Sequence, residues 1–181
     1  MKTGSLKSNV HYDKVHDIFN VVNTVINAEH LGSSIIIPNI CNIKSNTFHN
    51  GFASELGSEY PIAIQNYELL TSNNRQLGNC QINEVQSCKN KKYKHKVYVA
   101  NMMCQVGFNS KNSTARNINY SALCMCLLKI NHFIKNNRNE DTEYAIHAHK
   151  YLINYLGSDS RFVAYLLEDS IKDSEITIYL K

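Results

Sequence analysis

The sequence predicts an α/β fold of three layers, with a mixed central sheet sandwiched between helices. Two observations carry that expectation. Residues 35–41 form an uninterrupted apolar run, the pattern of a strand buried on both faces of a sheet. The second half of the chain then alternates strand, helix, strand, helix, strand, which argues for helices packed on a mixed sheet.

Residues 1–12 are polar and read as a loose N-terminal segment or a short first strand. Residues 18–26, rich in Val, Ile and Phe, read as a strand. A Gly32-Ser33-Ser34 turn leads into the apolar run. Pro38 within that run lacks a ladder donor, which places the pairing there at an edge or a bulge. From Gly51 to Leu70 the pattern is helical, interrupted by Gly57 and Pro61. Pro61 suits the first turn of a second helix carrying Ile62, Ile64, Tyr67 and Leu70. Residues 81–85 and 96–102 read as two strands joined by a basic tip. Leu123, Leu127, Ile130 and Ile134 share one face of a helix that Ser121 could cap. Strand 144–149, helix 162–171 and strand 175–180 complete the chain. With no internal repeat, low-complexity tract or linker, residues 1–181 read as a single domain.

Composition narrows the function classes. Hydrophobic residues make up 43% and charged residues 19%, values that exclude a disordered chain. The net charge of +4 suits an anionic small molecule as well as nucleic acid. The densest basic run, Lys89 to Lys96, reads as a solvated hairpin tip in preference to a nucleic-acid contact. The first ten residues lack an apolar signal region, and no stretch is long enough to span a bilayer. Among six cysteines, Cys80 and Cys88 lack metal-ligand spacing, Cys124 and Cys126 point to different faces of a helix, and no His pair completes a zinc set. The expectation is a cytoplasmic protein with reduced thiols, no metal and no cofactor. Richness in Asn, Lys, Ile and Tyr suggests an AT-rich genome such as that of a low-GC bacterium or its phage. There is no Walker loop, Rossmann glycine fingerprint or nucleophile elbow.

The most informative stretch runs from the apolar strand into Asn39-Ile40-Cys41-Asn42, then Gly51-Phe52-Ala53 and Tyr60-Pro61. Further on stand Val97-Tyr98-Val99-Ala100-Asn101-Met102 with Gln105, Arg116-Asn117-Ile118-Asn119-Tyr120-Ser121-Ala122-Leu123, Ile146-His147-Ala148 and Ile176-Thr177-Ile178-Tyr179. In this order and spacing the segments resemble macro domains, the modules that hold ADP-ribose, over roughly residues 15–181. The resemblance implies a three-layer α/β/α macro-type domain. It also implies that Asn42 binds the distal ribose hydroxyls, since a carboxamide can donate to one hydroxyl and accept from the next. The other reading of Asn42 is that it satisfies backbone groups at a strand-to-loop turn.

The departures from the family pattern concern both ligand loops. The first keeps only Gly51, and the acidic residue often found after the asparagine is Ile43. The second, usually Gly-x-Gly followed by small residues, reads Tyr151-Leu152-Ile153-Asn154-Tyr155-Leu156-Gly157-Ser158-Asp159. Bulky side chains there cannot leave the backbone open to a diphosphate. Gly157 and Ser158 could still present a helix N-terminus to an anion. Some hydrolases of the superfamily use an aspartate in this loop with a lysine on the strand near 98–104. Asp159 is present and the lysine is absent, so Asp159 reads either as that acid or as a helix cap. His49 is the other candidate base, or a solvent-facing loop residue.

The resemblance implies recognition of ADP-ribose or a derivative, with hydrolysis of ADP-ribose 1″-phosphate or an ADP-ribose ester as its catalytic extension. The alternative is a non-catalytic macro scaffold, a pseudoenzyme that binds a protein partner, such as a phage factor directed at a host protein. The aromatic and aliphatic second loop motivates it.

Overall fold

The apolar run forms the strand around which the other elements are arranged. In the computed structural model, which describes residues 9–27, 33–45, 51–88, 95–107, 118–139, 142–154 and 158–181, β2 (Ser34–Asn42) lies inside the sheet. Ile35, Ile36 and Ile37 are fully buried. Ile35 and Ile37 enter one hydrophobic core and Ile36 the opposite one, as the two-residue period of a strand requires.

The remaining strands are β1 (Val10–Asp13), β3 (Cys80–Ser87), β4 (Lys96–Gln105), β5 (Tyr144–His149) and β6 (Glu175–Tyr179). They form one six-stranded sheet in the order β1-β6-β5-β2-β4-β3. Every adjacent pair is parallel except β3–β4, the expected hairpin, which is antiparallel. Helices α1 (Ile18–Asn27), α2 (Gly51–Glu59) and α3 (Pro61–Glu68) cover one face, and α4 (Tyr120–Asn137) and α5 (Ser160–Ser170) cover the other. The sheet is mixed and both faces are covered, as the sequence predicts.

Three local expectations need correction. Residues 18–26 form a helix, not a strand. Asp17 caps it, its carboxylate accepting from the amides of Phe19 at 3.0 Å and Asn20 at 3.2 Å. Ile18, Val22 and Ile26 recur every four residues on its buried side. The β-branched composition that favours a strand is worth only tenths of a kcal/mol per residue, less than burying one such side chain. Pro38 leaves β2 inside the sheet, so the expected edge exists only locally, on the side toward β5, which is unpaired at Pro38. Pairing with β5 stops at Ile36, whereas pairing with β4 continues through Pro38 to a bulge at Cys41–Asn42. Lastly, α4 is capped by Asn119, which accepts from the Ala122 amide at 2.9 Å, and not by Ser121.

At the N-terminus, Val10 to Asp13 pair with β6, so that part of the expected loose segment is the short first strand. Residues 1–8 lie outside the described residues, as does the basic tip 89–94. Lys96, at the start of β4, pairs with Glu84 across the hairpin at 2.6 Å.

A row of buried amides locks α3 to the sheet. Asn39 on β2, Asn101 on β4 and Gln81 on β3 are register neighbours. Asn39 donates to the Asn101 side-chain oxygen at 3.0 Å, and Asn101 donates to the Ala63 carbonyl of α3 at 2.9 Å. Such a row stabilises only when every member is satisfied. Asn101→Leu leaves the Asn39 amide and the Ala63 carbonyl without these partners. It is expected to lower unfolding free energy by about 2–4 kcal/mol in urea titration. A loss below about 0.5 kcal/mol would show that the row contributes little.

Candidate functional site

The C-terminal ends of β2 and β5 create the candidate site. Their ladder ends at Ile36–Ile146, yet β2 runs on to Asn42 and β5 to His149. Parallel neighbours that separate in this way open a crevice at their C-terminal ends, where α/β proteins bind ligands. The loops carrying the residues expected to bind a ligand both leave from this edge.

Asn42 closes β2 and is nearly buried. Its Oδ1 accepts from the amides of Gly107 at 2.9 Å and Lys44 at 3.0 Å, and its Nδ2 donates to the Gly107 carbonyl at 2.9 Å. The backbone-satisfying reading of Asn42 therefore describes three of its contacts. An amide nitrogen has two hydrogens, and among the described residues the second meets no partner. Gln105 also donates to the Gly107 carbonyl, at 2.9 Å, tying the end of β4 over the end of β2. Gly107 has φ 70°, a conformation that favours glycine. From below, the Tyr67 hydroxyl reaches the carbonyls of Asn42 at 2.9 Å and Ser45 at 3.1 Å.

Gly51 opens α2 at φ 60°, and a side chain there would point into open space. Both its conformation and the space above it suit a loop that something approaches closely. His49 and Gly157 lie outside the described residues, as does Tyr155.

The second loop departs from a glycine cradle. Lys150–Leu152 form a single 3-10 turn, and Leu152 and Ile153 are buried in the core beneath α4 and α5. Tyr151 is 46% exposed. Ser158 donates to the Ile153 carbonyl at 3.2 Å. Asp159 is the N-cap of α5. Its Oδ1 accepts from the amides of Arg161 at 3.0 Å and Phe162 at 3.3 Å, and its own amide donates to the Tyr120 hydroxyl at 2.8 Å. The carboxylate is thus engaged in capping.

An aromatic column was not legible in the sequence. Phe52 lies flat on His149 with ring centroids 4.5 Å apart and planes 2° from parallel. Phe19 of α1 stacks behind Phe52 at 5.9 Å, and Tyr151 leans on His149 at 4.9 Å. The column joins α1, α2 and the end of β5 and forms one wall beside the crevice. The only signal available was Phe52 in its Gly-Phe-Ala segment. His149 Nδ1 accepts from the Tyr151 amide at 3.3 Å, shaping the turn. Burial pulls His149 down to about 4, helped by Lys150 and opposed by the Lys181 backbone and Asp17. On the same face of β5, burial also pulls His147 down to about 4, and its Nδ1 shares a 2.7 Å hydrogen bond with the Tyr179 hydroxyl. Both imidazoles are neutral at physiological pH.

Among the described residues no three His, Cys, Asp or Glu side chains gather to hold a metal ion, and no helix is long and apolar enough to cross a membrane.

A mixed six-stranded sheet in this order between two helical layers is the macro-domain fold. No protein-family model and no curated protein matches the chain. Solved structures do. A protein of unknown function from Bacteroides thetaiotaomicron superposes with TM-score 0.71 at 20% identity, covering 94% of this chain and 96% of that one. A macrodomain protein from Streptomyces coelicolor gives 0.67 at 19% identity, covering 95% and 99%. Thermosipho africanus DarTG, solved in complex with ADP-ribose, gives 0.54 at 12% identity, covering 94% of this chain and 52% of that one. At these identities the likeness defines the fold.

The two histidines predict acid sensitivity. Their folded values near 4 lie below the ordinary 6.5, so the unfolded chain takes up protons first as pH falls. Stability is therefore full above pH 6.5 and is lost as pH falls toward 4. His147 alone contributes about 3 kcal/mol across that window. Urea titrations at pH 7.5 and 4.5 should show this fall, and His147→Gln should lessen it, His149 supplying the remainder. An equal pH dependence in variant and wild type would remove His147 as its source.

Proposed function

We propose that this domain recognises ADP-ribose or a related nucleotide in the crevice between β2 and β5, and that it does so as a binding module. The observation that carries this reading is Asn42. It closes β2 beyond the point where β2 and β5 part, is held by Gly107, Lys44 and Tyr67, and among the described residues one of its amide hydrogens meets no partner and could serve a ligand hydroxyl. Gly51, with open space above it, supports close approach of the first loop. Lys44 and Lys150 put positive charge on the two loops that leave this edge, which suits a phosphate-bearing ligand. The fold shared with a protein solved in complex with ADP-ribose agrees with this ligand class.

Hydrolysis of ADP-ribose 1″-phosphate or an ester would require a base to orient water. The Asp159 carboxylate is engaged by two backbone amides at the start of α5, which favours binding without turnover. Ser158 and Gly157 would border the phosphates on this reading.

Calorimetric titration with ADP-ribose tests the proposal. Micromolar binding is expected, weakened tenfold or more, about 1.4 kcal/mol, by Asn42→Asp. That variant keeps the acceptor for the Gly107 and Lys44 amides but loses both amide hydrogens, including the one that meets the Gly107 carbonyl. Asn42→Ala should also cost about 2 kcal/mol of stability, so a thermal melt accompanies each titration. No heat at millimolar ligand with a folded wild type would sink the nucleotide reading. A second reading, a macro scaffold that binds a protein partner, would then take its place. Its specific support is the exposed Tyr151 ring on the second loop, while Leu152 and Ile153 of that loop are buried in the core and offer a partner nothing.

A further inference from the structure

A second aromatic stack, which the crevice reading does not use, runs outward along α5. The Phe162 ring meets Tyr120 edge-on at 4.9 Å and lies against Tyr165 at 6.4 Å with planes 23° apart. Tyr120 is anchored in turn, its hydroxyl accepting from the Asp159 amide at 2.8 Å. Phe162 and Tyr165 are nonetheless 42% and 58% exposed. A single exposed ring is ordinary, but rings stacked outward from an anchored base form a rigid platform. Tyr165 lines a cavity of about 460 Å³ between α5 and the edge strand β1. Tyr12, 50% exposed, lines it from the strand, and no ring contact joins the two tyrosines. Asn154 and Ser160 line the end at the second loop, and Glu168 lies about 12 Å from Ser160 along the helix. Among the described residues no hydrogen bond or ion pair engages the side chains of Tyr12, Asn154, Ser160, Tyr165 or Glu168. Arg161, also in the lining, stands 3.8 Å from the Asp159 carboxylate. The cavity's cation is thus partnered and its acid is not.

We propose that this groove binds a peptide segment carrying an arginine, whose guanidinium lies between the Tyr12 and Tyr165 rings and pairs with Glu168. Two aromatic faces and a carboxylate are the groups that recognise a cation. A guanidinium suits them better than an ammonium, because its plane stacks on a ring while its edge meets a carboxylate. A phosphate-bearing ligand fits poorly, since it meets the like charge of Glu168 while the charge of Arg161 is already shared with Asp159. The groove is also longer than one side chain. At about 3.3 Å per extended residue, roughly four residues of peptide cover the distance from Ser160 to Glu168. Asn154 and Ser160 are then placed to hydrogen-bond the peptide backbone beyond the arginine. The chain as a whole carries a net charge of +4, so general attraction does not draw a basic peptide to it. Binding has to come from the local acid and the rings. The proposal holds with or without a nucleotide in the crevice.

Amide NMR of the full chain, titrated with a capped pentapeptide of glycine and serine around one central arginine, is the test. Saturable shifts at Tyr12, Ala164, Tyr165 and Glu168 are expected. The same peptide with citrulline, a neutral isostere of arginine, should bind roughly fivefold more weakly. Glu168→Gln, which removes the charge and keeps the shape, should weaken the arginine peptide roughly threefold. Tyr165→Ala should weaken it roughly fivefold. Both variants should keep the wild-type melt and the wild-type response to ADP-ribose, so a silent crevice leaves this test intact. Equal affinity for the citrulline peptide, shifts confined to other surfaces, no shifts at millimolar peptide, or a stronger response of these residues to adenosine monophosphate would overturn the proposal.

Discussion

Strand β2 is the constraint on which the molecule depends. Three consecutive isoleucines with no exposure can be satisfied only if both faces of the strand meet apolar layers and both edges are paired. The consequences follow in order. β4 and β5 flank it, α1 to α3 close over Ile35 and Ile37, and α4 and α5 close over Ile36. The polar residues in the second half of the strand are therefore buried too, and each needs a partner within the protein. Asn39 finds Asn101, and through it α3. Asn42 finds Gly107. Specific placement of the loops comes from these buried polar contacts more than from the apolar core, which would tolerate some sliding of its side chains.

This explains why the two readings of Asn42 are not exclusive. A residue that grips a ligand must itself be held in one rotamer, and three backbone hydrogen bonds do that. Among the described residues they leave the group one donor without a partner, which limits what it can recognise. A carboxamide with both ends free could pair with two hydroxyls. This one can offer a single hydrogen, so the ligand must supply an acceptor at that point. Gly107 is as much a part of the site as Asn42, because its positive φ turns its own amide and carbonyl toward the same side chain.

The sequence made the sheet strands and the Pro61 helix start legible because each carries a local signal. A long apolar run, a hairpin and a proline at a first helical turn need no knowledge of distant residues. The error at residues 18–26 arose where two local signals conflict. β-branched composition argues for a strand, the four-residue spacing of Ile18, Val22 and Ile26 argues for a helix, and the spacing wins because it decides what is buried. The cap of α4 was misplaced by two residues, a limit set by how similarly Ser and Asn serve at that position. The stack of Phe19, Phe52, His149 and Tyr151 was beyond reach for a different reason. Its members come from three elements far apart in sequence, and no spacing rule connects them.

The second loop sets the strength of any ligand that the crevice accepts. In a glycine cradle the diphosphate is held by backbone amides beneath it. Here Leu152 and Ile153 turn inward into the core, each burial being worth about 1.5–3 kcal/mol. A ligand that displaced both would forfeit about 3–6 kcal/mol, between roughly a third and three quarters of the roughly 8 kcal/mol that micromolar affinity represents. The favoured arrangement keeps the 3-10 turn intact. On the proposed reading a ligand would engage Asn42 and pass the intact turn on the side of the exposed Tyr151 ring. Exposed contacts are screened by salt more than an enclosed amide cradle is, so the proposed binding would be weaker than in a glycine cradle and more dependent on ionic strength.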